Sequence, residues 1–387
     1  MTLLIDRLSL DEFRGYAHLE LSSLSRLNVI AGPNAVGKTN VVEGIQLLCE
    51  GQSFRNPPWS ETVSWGSGEA LLEARFVDGT RCVEHRLSIK DGERVYTVNG
   101  KRKPASAVCE TCPCVLFTPD DLQLVKDSSS RRRDAVDDMG VQLSKSFSKL
   151  RSDYRKIVKQ RNLLLREEEI SPALLSAYDE SLVVTGAGMC VSRWRLFTRL
   201  STYLEDVYAR LVPGERLEAV YIPSWERFDE EGNQLPEPSR LDCLVGEAPN
   251  VVETEEKLSA LLSRVSDVER QRKISLVGPQ KDEMAFFLNG KNARMFASQG
   301  QQRTIVLCFK IAQVEIIEEM KGQPPVLLLD DVMSELDESR RQALARFVEC
   351  AAQTFITTAN LGYFSDELVE KAHVIEMPIE GTRHVYP

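Results

Sequence analysis

The chain has 387 residues, 27% of them charged and 42% hydrophobic, with a formal net charge of −10. That length suits two packed lobes rather than one core, and the acidic balance argues against a protein that coats nucleic acid with its whole surface, while leaving room for a local basic face. No run approaches the ~20 apolar residues of a membrane span, the opening residues lack the apolar region of a signal peptide, and nine scattered cysteines read as reduced thiols, so a cytoplasmic protein with no membrane partner is expected.

In chain order, an apolar run over 27–31 leads into Gly32-Pro33-Asn34-Ala35-Val36-Gly37-Lys38-Thr39, the pattern G-x-x-x-x-G-K-T, followed by Asn40 and a helical pattern over 38–50. Strand, loop and helix in this order form the context of a nucleotide phosphate loop. A plain glycine-rich turn is the bland alternative, and the flanking elements argue against it. The glycines let backbone N–H groups turn inward toward a β-phosphate, Lys38 can reach the β and γ oxygens, and the Thr39 hydroxyl can ligate Mg²⁺. Alternating patterns predict strands over 71–76, 82–89 and 94–98, the last two joined by a hairpin at Asp91-Gly92. Lys101-Arg102-Lys103 then forms a weaker basic patch at a hairpin tip. Cys109-x-x-Cys112-x-Cys114 has ligand-like spacing, but no second Cys/His cluster lies nearby to complete a tetrahedral site.

From 119 the period becomes helical, with amphipathic stretches over 135–166, 172–211 and 253–271, and a Pro-, Gly- and acid-rich stretch over 226–250 that reads as loop. Arg131, Arg132, Arg133, Lys145, Lys149, Arg151, Arg155, Lys156, Lys159 and Arg161 cluster within about thirty residues among few acids, many of them recurring at three- to four-residue spacing. On a helix they share a face that can follow phosphates, although charge runs also make ordinary solvated faces. Arg131, Arg132, Arg133, Lys149, Arg155, Lys156 and Lys159 are therefore the candidate DNA contacts. No aromatic stripe interleaves them, so backbone contacts without sequence preference should dominate.

Strands return from 274, and a helical pattern over 304–320 follows Phe296-Ala297-Ser298-Gln299-Gly300-Gln301-Gln302-Arg303. An aliphatic run over 325–329 closes on Asp330 and Asp331, as expected for a buried parallel strand delivering acids to its C-terminal edge; an ordinary strand and turn is the alternative. Asp330 would hold Mg²⁺ through water, and Asp331 is placed to polarise an attacking water, with Glu335 the second candidate base. The long separation of Lys38 from these acids is unlike small GTPases and kinases, which complete their sites in far less chain.

Ser298 to Gln302 at a helix start resembles the signature motif of ABC-type ATPases, and Ser334-Glu335-Leu336-Asp337 resembles their D-loop. The resemblance implies that Ser298, Gly300, Gln301, Gln302 and Asp337 contact nucleotide held by the phosphate loop of a second copy, so that ATP joins a homodimer. The match narrows further. Leu8, Leu10, Phe13-Arg14-Gly15-Tyr16, Glu43, Phe117 to Leu122, Arg131 to Arg133, Ser298 to Arg303 and Leu328 to Asp337 are similar, in family order, to the RecF family. That family resembles the head of SMC proteins without the coiled coil. It implies DNA binding, recombinase loading at gaps with the partners RecO and RecR, and ATP hydrolysis as a slow switch.

Three positions depart from the pattern. Gln280 stands where the family usually has histidine, Ala35 stands where many of these ATPases have glycine, and the segment after the next strand lacks a histidine, leaving Thr358 or Asn360 to approach the γ-phosphate. The expected fold is α/β: an ABC/SMC-type P-loop ATPase lobe from both chain ends, 1–118 and 273–387, with a mostly helical lobe, 119–272, inserted. Two rivals are a transport ATPase subunit, whose Leu-Ser-Gly-Gly signature is missing here, and a DNA-binding module with a purely structural ATP site.

Overall fold

Alternating apolar residues build the first sheet. In the strand Glu69–Val77 every second side chain is buried, and it lies between Leu4–Phe13 and Cys82–Lys90 in an antiparallel sheet that continues through Glu93–Val98 to Lys101–Lys103. The computed structural model describes residues 2–229, 231–236, 249–348, 352–379 and 383–384. The hairpin turn expected at Asp91-Gly92 forms, and a second turn lies at Asn99-Gly100, ahead of Lys101 to Lys103 rather than at them; all four turn residues have positive φ, the left-handed geometry of tight primed turns. The basic tripeptide Lys101–Lys103 is a fully exposed edge strand.

A second sheet is parallel, ordered His373–Glu376, Leu27–Ala31, Gln353–Thr358, Val326–Asp330, Cys114–Phe117. Val326–Asp330 and Gln353–Thr358 are buried along their whole length, and two-sided burial explains the unbroken aliphatic run from Val326 to Leu329. Asp330 pairs with Thr357 and Ala31 with Thr358, so the phosphate loop and the acids leave the sheet at one C-terminal edge. That edge is where open α/β sheets place ligands. The helix Lys38–Glu50 packs Ile45 and Leu48 into a core shared with Leu10, Leu72 and Phe355. Gly44 is required there, because a Cβ would stand 2.7 Å from the Leu10 side chain.

The chain divides into two units, Met1–Leu122 with Gln313–Pro387, and Gln123–Ala312. The second contains the helices Ser129–Leu143, Lys145–Leu164, Pro172–Leu211 and Val251–Arg272 and a small antiparallel sheet of Leu217–Ile222, Glu283–Leu288 and Lys291–Asn292. The single helix expected over 135–166 is two, because Ser144 leaves helical geometry and caps the second by accepting the Phe147 N–H. Ser171 with Pro172, and Asn250 with Glu253 in a capping box, start the other two long helices.

Residues 273–312 group with the second unit, not with the first lobe as the sequence suggested, because Glu283–Leu288 pairs along its length with Leu217–Ile222. Part of the loop expected over 226–250, residues 230 and 237–248, lies outside the described residues. Among the described residues no helix is long and apolar enough to cross a membrane.

Candidate nucleotide site and basic surface

The loop after Leu27–Ala31 curls through Ala35 at φ 65° and Gly37 at φ 101° into the helix starting at Lys38. Gly37 is obligatory twice over: its φ favours glycine, and a Cβ would collide with the Tyr16 ring. Ala35 holds a left-handed conformation with a side chain, the kind of local strain that collects at functional sites. The Lys38 ammonium, buried, donates to the carbonyls of Gly32 at 2.8 Å and Pro33 at 2.7 Å. Burial lowers its pKa, while Asp331 and Asp330 oppose that shift, so the charge is held in a partly desolvated place between loop and acids.

Thr39 donates to Asp330 Oδ1 at 3.0 Å, and Thr357 donates to the same oxygen at 2.7 Å. The Thr357 hydroxyl also accepts the Asp331 N–H at 2.9 Å, turning the chain at Asp331, where φ is 52°. Asp331 Oδ1 is buried without a hydrogen-bond partner among the described residues. Burial raises its pKa above the ordinary 3.8, with Asp330 and Glu335 adding to the rise and Lys38 opposing it. An orphaned carboxylate oxygen, a hydroxyl–carboxylate pair and an ammonium resting on carbonyls fit a phosphate chain with its divalent cation.

Thr357, which sequence reasoning missed, organises both acids. Glu43 is a second omission from the site: fully buried, it receives two hydrogen bonds from Arg14, at 2.6 and 3.0 Å, one from Arg55 at 3.0 Å and one from Ser53 at 2.6 Å. Arg55 also donates to the Asn40 side chain at 2.9 Å, so these arginines clamp the first turns of the loop helix. Thr358 and Asn360 bond to each other, the Thr358 hydroxyl accepting the Asn360 N–H at 3.1 Å, and Asn360 Oδ1 takes the Gly362 N–H at 2.8 Å.

In the second unit the signature segment starts the helix Gln299–Lys321. Ser298 is exposed and accepts the Gln301 N–H at 3.2 Å, while Gln301 Oε1 accepts the Ser298 N–H at 2.9 Å, a reciprocal capping box. Gln301 also donates to Glu215 at 2.8 Å and Gln302 to the Ala297 carbonyl at 2.9 Å. Gly300 accepts from the Thr304 hydroxyl at 3.0 Å. In the first unit, Asp337 starts the helix Glu338–Val348 by accepting the Arg340 N–H at 3.0 Å, the largest cause of its lowered pKa. Gln280 accepts from the Tyr154 hydroxyl and donates to the Val277 carbonyl at 2.7 Å, a structural task within the second unit.

The basic run separates into two populations. Arg132 is 3% exposed, ion-paired with Glu283 at 2.9 Å and donating to three backbone carbonyls. This corrects its assignment as a DNA contact, since spacing sees a helix face but not a partner far along the chain. Arg151 and Arg161 are likewise buried on Asp138 and on Glu269 and Asp179. Arg133 is half-buried and donates to the Asp282 carbonyl at 2.7 Å. Lys149, Arg155, Lys156 and Lys159 are exposed, Arg155 on Asp134 and Lys156 on Asp153, and Arg131 pairs with Asp127. Cys109, Cys112 and Cys114 are buried, the Cys112 thiol pushed well up by its hydrogen bond with Cys49 and by burial. Among the described residues no group of three ligand-type side chains could hold a metal.

Fold and loop together define an ABC-type ATPase head carrying a helical insertion. The family model for the RecF/RecN/SMC N-terminal domain matches residues 4–378. A DNA replication and repair protein RecF of Symbiobacterium thermophilum is 36% identical over 362 residues, covering 92% of each chain, and one of Lactobacillus delbrueckii subsp. bulgaricus is 32% identical over 375 residues, covering 96% of this chain and 94% of its own. A solved structure of the recombination mediator protein RecF with ATPrS in the RecFOR pathway superposes with a TM-score of 0.84 at 29% identity, over 94% of both chains. An Smc head, at 16% identity and a TM-score of 0.53, shares the fold. The chain belongs to the RecF family, within the RecF/RecN/SMC N-terminal domain group.

Proposed function

We propose that this chain is an ATP-dependent DNA-binding protein of recombinational repair, cytoplasmic, dimerising on ATP and Mg²⁺ and binding DNA without sequence specificity. The observation that carries the reading is the Thr39–Asp330–Thr357 contact with Asp331 beside it, at the sheet edge where the phosphate loop emerges. Thr39 and Asp330 would hold Mg²⁺, which neutralises phosphate charge when bound, and Lys38 would leave its carbonyls for β and γ oxygens. Asp331, with its orphaned oxygen and raised pKa, suits the acceptance of a proton from water, with Glu335 as the alternative. Hydrolysis then serves as a slow switch that dissolves the dimer.

Ser298 supports a shared site because its hydroxyl and the helix start are exposed, where a helix N-terminus favours an anion presented by a second copy. Asp337 is a further candidate contact for nucleotide held by a second copy. The exposed cations Lys149, Arg155, Lys156 and Lys159, with Arg131 and Arg133 beside them, support contact with the phosphates of single-stranded, gapped or duplex DNA. Family membership supports RecR and RecO as partners and recombinase loading at gaps as the outcome. The test is a gel shift over single-stranded, duplex and gapped DNA with ATP or ADP, run beside phosphate release. Stronger binding with ATP and DNA-stimulated release are expected; binding indifferent to nucleotide, with no release, refutes the reading.

A further inference from the structure

The second unit contains a cavity of about 640 Å³, within the roughly 300–1,000 Å³ typical of small-ligand sites. Its charged wall comes from Arg133, Arg155, Lys159, Arg166 and Arg193, against the two carboxylates Asp134 and Asp137. Both acids are already engaged. Asp137 accepts two hydrogen bonds from Arg193, at 2.7 and 3.0 Å, and Asp134 pairs with Arg155 at 3.0 Å. Among the described residues no carboxylate pairs with Arg133, Lys159 or Arg166.

Arg133 is the sharpest case. Its one hydrogen bond is to the Asp282 carbonyl, and burial, followed by the neighbouring Arg193, pulls its pKa below the usual guanidinium value. Lys281, on the adjoining turn, is pulled down by burial and then by Arg133 itself. Asp282, Glu283 and Asp134 act on this guanidinium only through space, so its five donors have one carbonyl acceptor and no carboxylate hydrogen bond, and an anion in the cavity would find donors to spare. Arg155 and Lys159 lie one turn apart on the helix Lys145–Leu164, so both reach the cavity from one face. Val158, Leu163 and Met189 give the cavity an apolar wall.

We propose that this cavity is a phosphomonoester site, seating one phosphate on Arg133, Lys159 and Arg166 while the apolar wall receives the sugar or base of a single nucleotide unit. The recess is open to solvent, and a monoester, with nearly two negative charges against the single charge of a diester, suits three cations that lack a carboxylate hydrogen bond better than backbone phosphate does. A phosphorylated strand terminus and a free nucleotide present the same group. The proposal rests on the DNA-binding reading only for the first of these sources.

The test uses the full chain saturated with Mg-ATP, so that the phosphate loop is filled. Binding is measured for short thymidylate oligonucleotides with a 5′ phosphate, with a 3′ phosphate or with neither, and for dTMP. A terminal phosphate is expected to tighten binding at least about tenfold, the scale of one charge-assisted hydrogen bond. Arg133→Gln should abolish that preference. Because Arg133 also holds the Asp282 carbonyl, a second variant, Lys159→Glu with Arg166→Glu, both at exposed positions, must abolish it too. Variant-sensitive binding of dTMP as tight as that of the oligonucleotide identifies a free nucleotide as the ligand; weaker dTMP binding identifies a strand end. Equal binding of all probes, or a phosphate preference that survives both variants, overturns the site. Closed circular duplex, which has no ends, reads backbone tracking separately: its loss with the preference intact sinks only the DNA-binding reading.

Discussion

The Thr39 hydroxyl donates to Asp330 Oδ1 at 3.0 Å, joining two residues 291 positions apart in the chain. The contact exists because strands from both chain ends enter one parallel sheet in register, Thr357 beside Asp330 and Thr358 beside Ala31. Removing the shared carboxylate should therefore uncouple two halves of one site. Asp330→Ala is expected to weaken Mg²⁺-dependent ATP binding while leaving metal-free binding nearly unchanged, read by calorimetry with and without chelator.

Lys38 makes its hydrogen bonds to loop carbonyls in this structure, and it is the only cation placed to exchange them for phosphate oxygens among the phosphate-loop residues. Charge-assisted bonds of roughly 1.5–3 kcal/mol each make a loss of at least about tenfold in ATP affinity the expected result for Lys38→Met. Wild-type affinity in that variant would remove the loop from the nucleotide site.

Asp331 carries the pH prediction. Its folded-state pKa lies above 3.8, so the native protein binds its proton more readily than the unfolded chain does. As pH rises from 3.8 through the raised value, this group withdraws stability; as pH falls through it, stability returns while the base is lost. Hydrolysis should accordingly show an acid limb displaced upward from the ordinary aspartate value. Asp331→Asn should bind ATP, hydrolyse at least about 100-fold more slowly and gain stability at neutral pH. Normal turnover in Asp331→Asn would shift the base to Glu335.

Arg161, 2% exposed, is held by Glu269 and Asp179, both at 2.6 Å. Arg161→Ala leaves buried carboxylate uncompensated and is expected to cost about 3–5 kcal/mol of stability in thermal or denaturant melts. Lys149, Arg155, Lys156 and Lys159 should behave oppositely. Their joint replacement by Ala should leave the melt within about 0.5 kcal/mol per site and lower the salt slope of DNA binding by about 0.9 for each phosphate that these cations neutralise. An unchanged slope would reduce them to a solvated face.

That contrast also marks what the sequence could convey. The phosphate loop and the acidic strand were legible because their chemistry is local: a glycine at positive φ, a lysine and a hydroxyl lie within one turn of chain, and a fully apolar strand announces two-sided burial. Thr357 was not legible as a partner of Asp330, since only sheet register brings them together. The basic helices were legible as helices and only half legible as surface. Arg132 and Arg155 look alike in spacing, yet one is buried on Glu283 and the other makes an exposed pair with Asp134, and nothing near either residue says which. The strand Leu217–Ile222 was missed for the same reason: it exists through Glu283–Leu288, and that pairing is what draws residues 273–312 into the second unit.

The central claim is that ATP joins two copies through Ser298 of one and the phosphate loop of the other. Ser298→Arg should bind ATP but neither dimerise nor hydrolyse it, because a bulky cation displaces the hydroxyl at the helix start, and Lys38→Met should fail earlier, at binding. Mixed, the two inactive variants can pair so that an intact loop faces an intact signature, rebuilding one site of two in a self-complementary dimer. The decisive measurement is phosphate release from that mixture, with dimers scored in parallel by crosslinking. ATP-dependent mixed dimers recovering up to about a quarter of wild-type hydrolysis are predicted, if half the dimers are mixed and the sites act independently. A mixture with neither dimers nor hydrolysis would contradict the shared site.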